Sequence, residues 1–233
     1  MMRIGLFLLI GLIVLSCSTE EPNLVVNGQI RGLKKGTLYL ERQQDTSWIP
    51  IDSMIINGES EFVLQAALTE PEVMMLRLDV ANTKPQRLRF FGAQGMTTVN
   101  TSLKRFFYDA KITGSQQQEL LNEFNSMIGQ FNEKNLELIK SQLESANDSV
   151  KIQLIQKNLD QLMKRKYLYA INFAITNKSS QVAPYIALNE VFDANVKYLD
   201  TIYNSLPDSI AGSKYGTKLN SYIKELKKQG NNE

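Results

Sequence analysis

The sequence predicts an α+β protein, with an N-terminal antiparallel β domain built as a sandwich or a barrel and a C-terminal helical domain containing a long antiparallel helix hairpin. Apolar residues alternate with period two in the first half of the chain and recur with a helical period in the second half. The change falls near Gly114, which places the β domain at 24–114 and the helical domain at 115–229. Residues 230–233 are expected to fray.

The N-terminus has the layout of a secretory signal peptide, which is predicted at 1–16. Arg3 is followed by an uninterrupted apolar run from Ile4 to Leu15. The run is too short to span a bilayer as a helix, since spanning needs about 20 apolar residues.

The only cysteine of the chain, Cys17, directly follows this leader in the sequence Val14-Leu15-Ser16-Cys17. The sequence resembles the lipobox of bacterial lipoproteins, and the resemblance implies that the Cys17 thiol is lipidated, with palmitate as a marker of that modification. Residues 17–23 are polar and turn-prone, so we predict a short tether that holds the folded part near the membrane. A plain signal peptide with a coincidental cysteine is the alternative.

The acidic pair Glu20-Glu21 bears on the localisation of the protein. It resembles the surface-export signal of Bacteroidetes lipoproteins, which implies an outer-membrane lipoprotein that is either periplasmic or surface-exposed. A merely solubilising linker is the alternative reading of the same residues.

The β domain is predicted to contain about seven or eight short strands, each with one apolar and one polar face. The alternating apolar residues that define them are Val26, Gly28 and Ile30; Leu38 and Leu40; Phe62 and Leu64; Met74, Leu76, Leu78 and Val80; Leu88 and Phe90; and Phe106, Tyr108, Ala110 and Ile112. The Asn57-Gly58 pair predicts a tight hairpin before the Phe62 strand, because this pair readily adopts positive φ.

Two long helices are predicted after Gly114, followed by shorter ones near 184–192, 195–206 and 213–228. Ser115 and Gln118 have the spacing of a capping box at the first helix start. The apolar stripe of the first helix comprises Leu120, Phe124, Met127 or Ile128, Phe131, Leu138 and Leu143, and that of the second comprises Ile152, Ile155, Leu159, Leu162, Tyr167, Ala170 and Ala174. A polar break at 145–148 separates the two, which predicts a hairpin.

Composition argues against several functions. The chain has 26 basic and 24 acidic residues, so no basic face for nucleic acid is expected. It has no histidine, which removes Ser-His-Asp and Cys-His catalysis and the zinc sites built from cysteine and histidine. We therefore expect no catalytic residue, no metal and no cofactor. A carboxylate enzyme that uses Asp52, Glu59 or Glu61 is the least favoured alternative.

The polar face of the β domain holds the candidate contact residues. Trp48 is the only tryptophan and follows a polar loop, and an exposed tryptophan often marks a binding surface. Together with Tyr39, Arg87 and Arg89 it forms our predicted contact surface for a ligand or partner. Packing of Trp48 in the core or against a loop is the favoured alternative. The run 164–166 is basic and suits either anionic lipid or a solvated helix face.

The order of several short motifs between Val25 and Gly114 resembles the family called domain of unknown function 4369. The motifs are Val26-Asn27-Gly28-Gln29-Ile30, Gly36-Thr37-Leu38-Tyr39-Leu40, Ile51-Asp52-Ser53, Asn57-Gly58 before Phe62, Pro71, and Ile112-Thr113-Gly114-Ser115. Residues 177–228 resemble the helical segment that follows in Bacteroidetes envelope proteins. The resemblance implies the accessory part of proteins that also carry a thioredoxin-like domain, which this sequence is expected to lack.

Redox catalysis by a dithiol needs two exchanging thiols, and this sequence has one. We therefore expect a non-enzymatic, membrane-anchored envelope lipoprotein that acts as a binding or docking module. Its partner is expected to be another envelope protein, with a separately encoded thiol oxidoreductase as a candidate. A glycan- or peptide-binding lipoprotein that uses the β domain is the alternative.

Overall fold

The computed structural model describes residues 21–230, and its N-terminal half forms two four-stranded sheets. The strands are β1 (Leu24–Arg31), β2 (Lys35–Gln44), β3 (Ser47–Asn57), β4 (Glu61–Ala66), β5 (Glu72–Asp79), β6 (Gln86–Gly92), β7 (Gly95–Ser102) and β8 (Lys111–Thr113). Sheet A has the strand order β4-β1-β7-β8, and sheet B has the order β3-β2-β5-β6. The predicted leader, the predicted lipidation site Cys17 and the terminal residues 231–233 lie outside the described residues.

One apolar core joins the two sheets. Alternate residues of β1, β2, β4, β5 and β6 are buried in it, and the largest include Ile30, Leu38, Leu40, Phe62, Leu64, Met74 and Phe90. The period-two alternation in these five strands is confirmed, and with it the sandwich.

Sheet A contains a parallel pair, so it is mixed and not purely antiparallel. β1 pairs antiparallel with β4 and parallel with β7. β7 was not predicted because two of its three buried side chains are threonines, Thr97 and Thr101, which flank Val99. Because threonine carries a polar hydroxyl group, a search for alternating apolar residues does not detect this strand. The hydroxyl of Thr101 donates a hydrogen bond to the carbonyl oxygen of Phe106 at 2.7 Å.

The strand predicted through Phe106, Tyr108, Ala110 and Ile112 is wrong over most of its length. Residues 103–109 form turns, and only Ile112 lies in a strand, the short β8. Ser102 favours the turn, because its hydroxyl oxygen accepts from the Arg105 N–H at 3.2 Å. Phe106 is still buried, whereas Tyr108 is exposed.

The hairpin predicted at Asn57-Gly58 is also wrong, although Gly58 does have a positive φ of 109°. The segment crosses from sheet B to sheet A, and β4 pairs with β1 and not with β3. Burying Phe62 between the sheets is what places β4 there. The tight hairpin joins β2 to β3 through Asp45, whose φ is 52°.

Six helices follow in the described residues, and the first two form the predicted long hairpin. They are α1 (Gln116–Glu144), α2 (Ser149–Thr176), α3 (Val182–Glu190), α4 (Val196–Ser205), α5 (Asp208–Ala211) and α6 (Lys214–Gly230). Ser115 caps α1 and Asp148 caps α2, and the side chain of each accepts a backbone N–H at 3.0 Å. Within 21–230, no helix combines the length and hydropathy that crossing a membrane requires.

Candidate docking surface on sheet B

The helices cover one end of the outward face of sheet B, and Phe91 is the centre of this contact. Its backbone N–H donates to the Oε1 of Gln118 at 2.6 Å, and its carbonyl oxygen accepts from the hydroxyl of Ser115 at 3.1 Å. Gln118 therefore binds the edge strand β6 and does not complete the predicted capping box. The Phe91 ring packs against Tyr185 and Tyr215, with centroid distances of 5.6 and 5.8 Å.

A second set of polar contacts joins α6 to the start of β5. The hydroxyl oxygen of Tyr215 accepts from the Val73 N–H at 2.8 Å, in a buried position. The Glu70 carboxylate accepts from the Lys214 N–H at 2.9 and 3.0 Å, at the N-terminus of α6, where a negative charge is favourable. The buried Glu72 pairs with the Lys214 ammonium group and with Arg42. These contacts fix the helices on the sandwich.

The rest of this face stays open, and we define the open face of sheet B as Tyr39, Trp48, Arg77, Arg87 and Arg89. Tyr39 lies opposite Arg77, and Arg77 lies opposite Arg87, so the three form a row across β2, β5 and β6. Trp48 and Arg89 lie on the same side, and the Arg89 guanidinium is 5.7 Å from the Trp48 ring centroid. The structure thus brings the four predicted contact residues together on one surface.

Arg77 was not predicted as part of this surface, and its role in the fold is clear. Its guanidinium lies 4.0 Å from the centroid of the Tyr39 ring and donates to the Oε1 of Glu41 at 2.6 Å. It also pairs with Asp79. Burial acts to lower the pKa of Arg77, but the hydrogen bonds and charges of Asp79 and Glu41 outweigh it and raise the pKa. Arg77 therefore holds the middle of the face as a permanent cation.

Arg87 and Arg89 differ from Arg77 because both are exposed. Within residues 21–230, neither has a carboxylate oxygen within 4.0 Å. Trp48 is half-buried, and its ring packs partly against the helical core. The open face therefore offers two unpaired guanidinium groups, and that of Arg89 lies beside the Trp48 ring.

The candidate carboxylates of the least favoured enzyme hypothesis do not converge. Asp52 uses its two oxygens to accept from the N–H groups of Ser53 and Gln65, each at 2.7 Å, and so joins β3 to β4. Glu59 and Glu61 are exposed. In the part of the chain that is described, no three acidic or other metal-ligating side chains cluster as a metal site would need.

A cavity of about 310 Å³ lies between α2 and α4 and includes Lys164 of the basic run. The Tyr167 hydroxyl there donates to the Oδ1 of Asp193 at 2.6 Å, and this hydrogen bond raises the pKa of Tyr167. Lys166 faces Glu190 at 3.9 Å, and burial raises the pKa of Glu190. Lys164 of the basic run therefore lines the cavity, whereas Lys166 forms an ion pair with Glu190.

Comparison with known proteins gives one family. Residues 24–121 match the family described as Domain of unknown function (DUF4369). The matched region extends past the sandwich to the first residues of α1, so it includes Ser115 and Gln118, which bind the edge of β6. No curated protein matches the chain. The N-terminal part of the chain, residues 24–121, is therefore a DUF4369 domain.

Proposed function

We propose that this protein is a membrane-anchored envelope lipoprotein that acts as a non-catalytic docking module, with the open face of sheet B as its contact surface. The observation that carries the proposal is the presence of two unpaired, exposed arginines on this face, of which Arg89 lies beside Trp48. Arginine, tryptophan and tyrosine are enriched among the residues that dominate binding energy at protein interfaces. The partner is another envelope protein with acidic groups that meet Arg87 and Arg89, and a separately encoded thiol oxidoreductase is a candidate.

The anchor is proposed from the sequence around Cys17. Because β1 begins at Leu24, the segment between them is short, and the sandwich would stay within roughly 25 Å of the bilayer. A membrane-held module meets its partner in two dimensions, which raises the effective concentration of both. The tether thus supports docking even where the contact itself is weak.

Replacing Cys17 with alanine in cells is expected to abolish incorporation of labelled palmitate and to release the protein from the membrane fraction, since the thiol is the attachment atom. Ser18→Ala is the matched control and should keep both the label and the fractionation. Palmitate labelling of the Cys17→Ala protein at the level of the unaltered protein would contradict the anchor.

The docking surface is tested by replacing both Arg87 and Arg89 with alanine in the full chain. Crosslinking in cells, followed by mass spectrometry, is expected to recover the main partner at a level reduced at least about tenfold, which corresponds to roughly 1.4 kcal/mol of binding. The two side chains are exposed, so the unfolding temperature should stay the same.

The control is the double variant Lys104→Ala/Arg105→Ala, because Arg105 is also an exposed arginine near an aromatic ring of the same sandwich. The Arg105 guanidinium lies 5.8 Å from the centroid of the Tyr108 ring, outside the open face. Replacing Lys104 and Arg105 with alanine removes the same charge and should leave partner recovery unchanged. Equal loss from both double variants would show that net charge, and not the open face, governs the contact.

A glycan or peptide is the second candidate ligand, because Tyr39 and Trp48 lie on the same face. Arg77 covers the Tyr39 ring and Arg89 approaches the Trp48 ring, so two of the flat surfaces on which a sugar would stack are partly occupied. Titration of the protein with soluble oligosaccharides and peptides, read by Trp48 fluorescence, separates this candidate from protein docking. A fluorescence change abolished by Tyr39→Ala, which keeps the Trp48 fluorophore, but retained in Lys104→Ala/Arg105→Ala would favour it.

A further inference from the structure

β6 is an edge strand of sheet B, and its backbone groups show which residues face the outer side. β6 pairs with β5 alone. At Phe91 the backbone N–H donates to Gln118 and the carbonyl oxygen accepts from Ser115, so neither group takes part in the ladder with β5. In an antiparallel ladder, the backbone groups of alternate residues point to the same side of the strand. The N–H and carbonyl groups of Arg89 and Arg87 therefore also point to the outer side.

The neighbouring strand β5 gives the same register independently. Val73 lies opposite Phe91, but its N–H donates to the Tyr215 hydroxyl and not to the Phe91 carbonyl. Val73 and Phe91 are therefore a pair that exchanges no hydrogen bond, and alternate pairs along the ladder share this geometry. The next two such pairs are Met75–Arg89 and Arg77–Arg87.

Residues 87–89 form a segment that we call the free edge of β6. Within residues 21–230, no hydrogen bond occupies the backbone N–H or carbonyl groups of Arg87 and Arg89. Both residues are exposed, and their side chains belong to the open face of sheet B. Ser115 and Gln118 close the edge at Phe91, so the free edge is short. It combines two backbone donors and two backbone acceptors with two cations.

We propose that the partner protein binds the free edge of β6 with an extended segment, which adds to sheet B as an antiparallel strand and carries an acidic side chain at every second residue. This proposal rests on the open face as the docking surface and specifies what that surface binds. Residues directly opposite each other in an antiparallel pair place their side chains on the same face. Acidic residues opposite Arg87 and Arg89 therefore meet the guanidinium groups while their backbone groups bond to the edge. Added strands bind through main-chain hydrogen bonds and gain specificity from alternate side chains.

Charge favours an acidic strand over a second copy of this chain as the occupant of the free edge. Basic side chains and proline commonly protect edge strands from unwanted pairing, and Lys84 and Pro85 directly precede β6. Two copies joined edge to edge would place arginines opposite arginines, which is destabilising. A strand with carboxylates at the same spacing forms charge-assisted hydrogen bonds with Arg87 and Arg89 instead.

The added strand is tested with a labelled synthetic peptide of about eight alternating glutamate and threonine residues, a length typical of strands. Titration with the full-length protein in mild detergent, read by fluorescence anisotropy, is expected to show saturable binding. N-methylation of every glutamate should raise the Kd at least about tenfold, because these N–H groups face β6 in the antiparallel pair. N-methylation of every threonine is the matched control and should leave the Kd unchanged. The two methylated peptides carry the same charge, so an electrostatic contact without a strand would not distinguish them.

Substitutions at Arg89 test the same edge in cells. Arg89→Pro and Arg89→Ala both remove the guanidinium group, but only proline also removes the backbone N–H that faces the added strand. Partner recovery by crosslinking is therefore expected to fall at least about threefold further in Arg89→Pro than in Arg89→Ala. Circular dichroism checks that the sandwich persists, and the peptide titration uses the unaltered protein.

Equal Kd values for the two methylated peptides would overturn the added strand, as would the absence of saturable binding by the unmodified peptide up to about 1 mM. Loss of binding on threonine methylation alone would overturn the antiparallel register. In each of these cases, reduced partner recovery by Arg87→Ala/Arg89→Ala would still support the open face as the docking surface. The two proposals therefore fail separately.

Discussion

Replacing Phe91 with alanine is expected to lower the free energy of unfolding by about 3–5 kcal/mol, the largest effect that we predict for a side-chain truncation in this protein. Phe91 is fully buried, and its ring lies between sheet B and the tyrosines of α3 and α6. The truncation leaves a cavity that rigid strands and helices on both sides cannot fill by collapse. Urea unfolding followed by circular dichroism measures the loss as a lower midpoint.

The Phe91→Ala variant should also change the cooperativity of the unfolding transition. Because this residue joins the sandwich to the helices, we expect unfolding to become less cooperative, with a lower denaturant slope. Phe107→Ala is the matched control, since Phe107 is an exposed phenylalanine of the same sandwich, and it should change stability by less than about 0.5 kcal/mol. Similar losses in the two variants would show that the contact at Phe91 contributes little.

Replacing Gly28 with alanine is expected to destabilise the sandwich by about 3 kcal/mol. Gly28 lies in β1 opposite Val99 of β7, and a Cβ atom at this position would come within 1.8 Å of the Val99 carbonyl oxygen. The two strands must separate locally to admit the methyl group, which weakens the parallel ladder. Thermal unfolding of the variant should show a transition lowered by several degrees.

The same substitution at Gly129 serves as the control and should have the opposite sign. Gly129 lies in α1, and a Cβ atom there has no neighbour within 4 Å. Alanine has the higher helix propensity, so Gly129→Ala should stabilise the protein by roughly 0.5–1 kcal/mol. Destabilisation by both variants, or by neither, would contradict the steric explanation for Gly28.

Alternation of apolar residues predicted the core strands because their inward side chains are all apolar, as in β4 with Phe62 and Leu64. It failed at β7, where threonines are buried, and at Phe106, where a buried ring lies in a turn. The alternation did not predict which strands pair with each other. The residues around Gly58 are compatible both with a hairpin and with a crossing between the two sheets. The helix hairpin was predictable because a polar break separates two long periodic segments.

The open face of sheet B was predictable in part, because successive side chains of a strand alternate between its two faces. Residues such as Arg87 and Arg89, two apart on one strand, must share a face. Their proximity to Trp48 depends on strand order, which the sequence pattern does not contain. The contacts of Gln118 and Tyr215 with the sandwich were missed, because a side chain that binds a distant backbone group leaves no periodic signal.

The parallel pairing of β1 with β7 has a mechanical consequence. β1 is the first strand after the N-terminal segment, yet it is an interior strand, held by β4 on one side and β7 on the other. Ladder hydrogen bonds run across the strands, so tension applied along β1 from its N-terminal end strains both ladders in shear, and many bonds must break together. A sandwich pulled from this end resists opening far better than one whose first strand could be peeled from an edge.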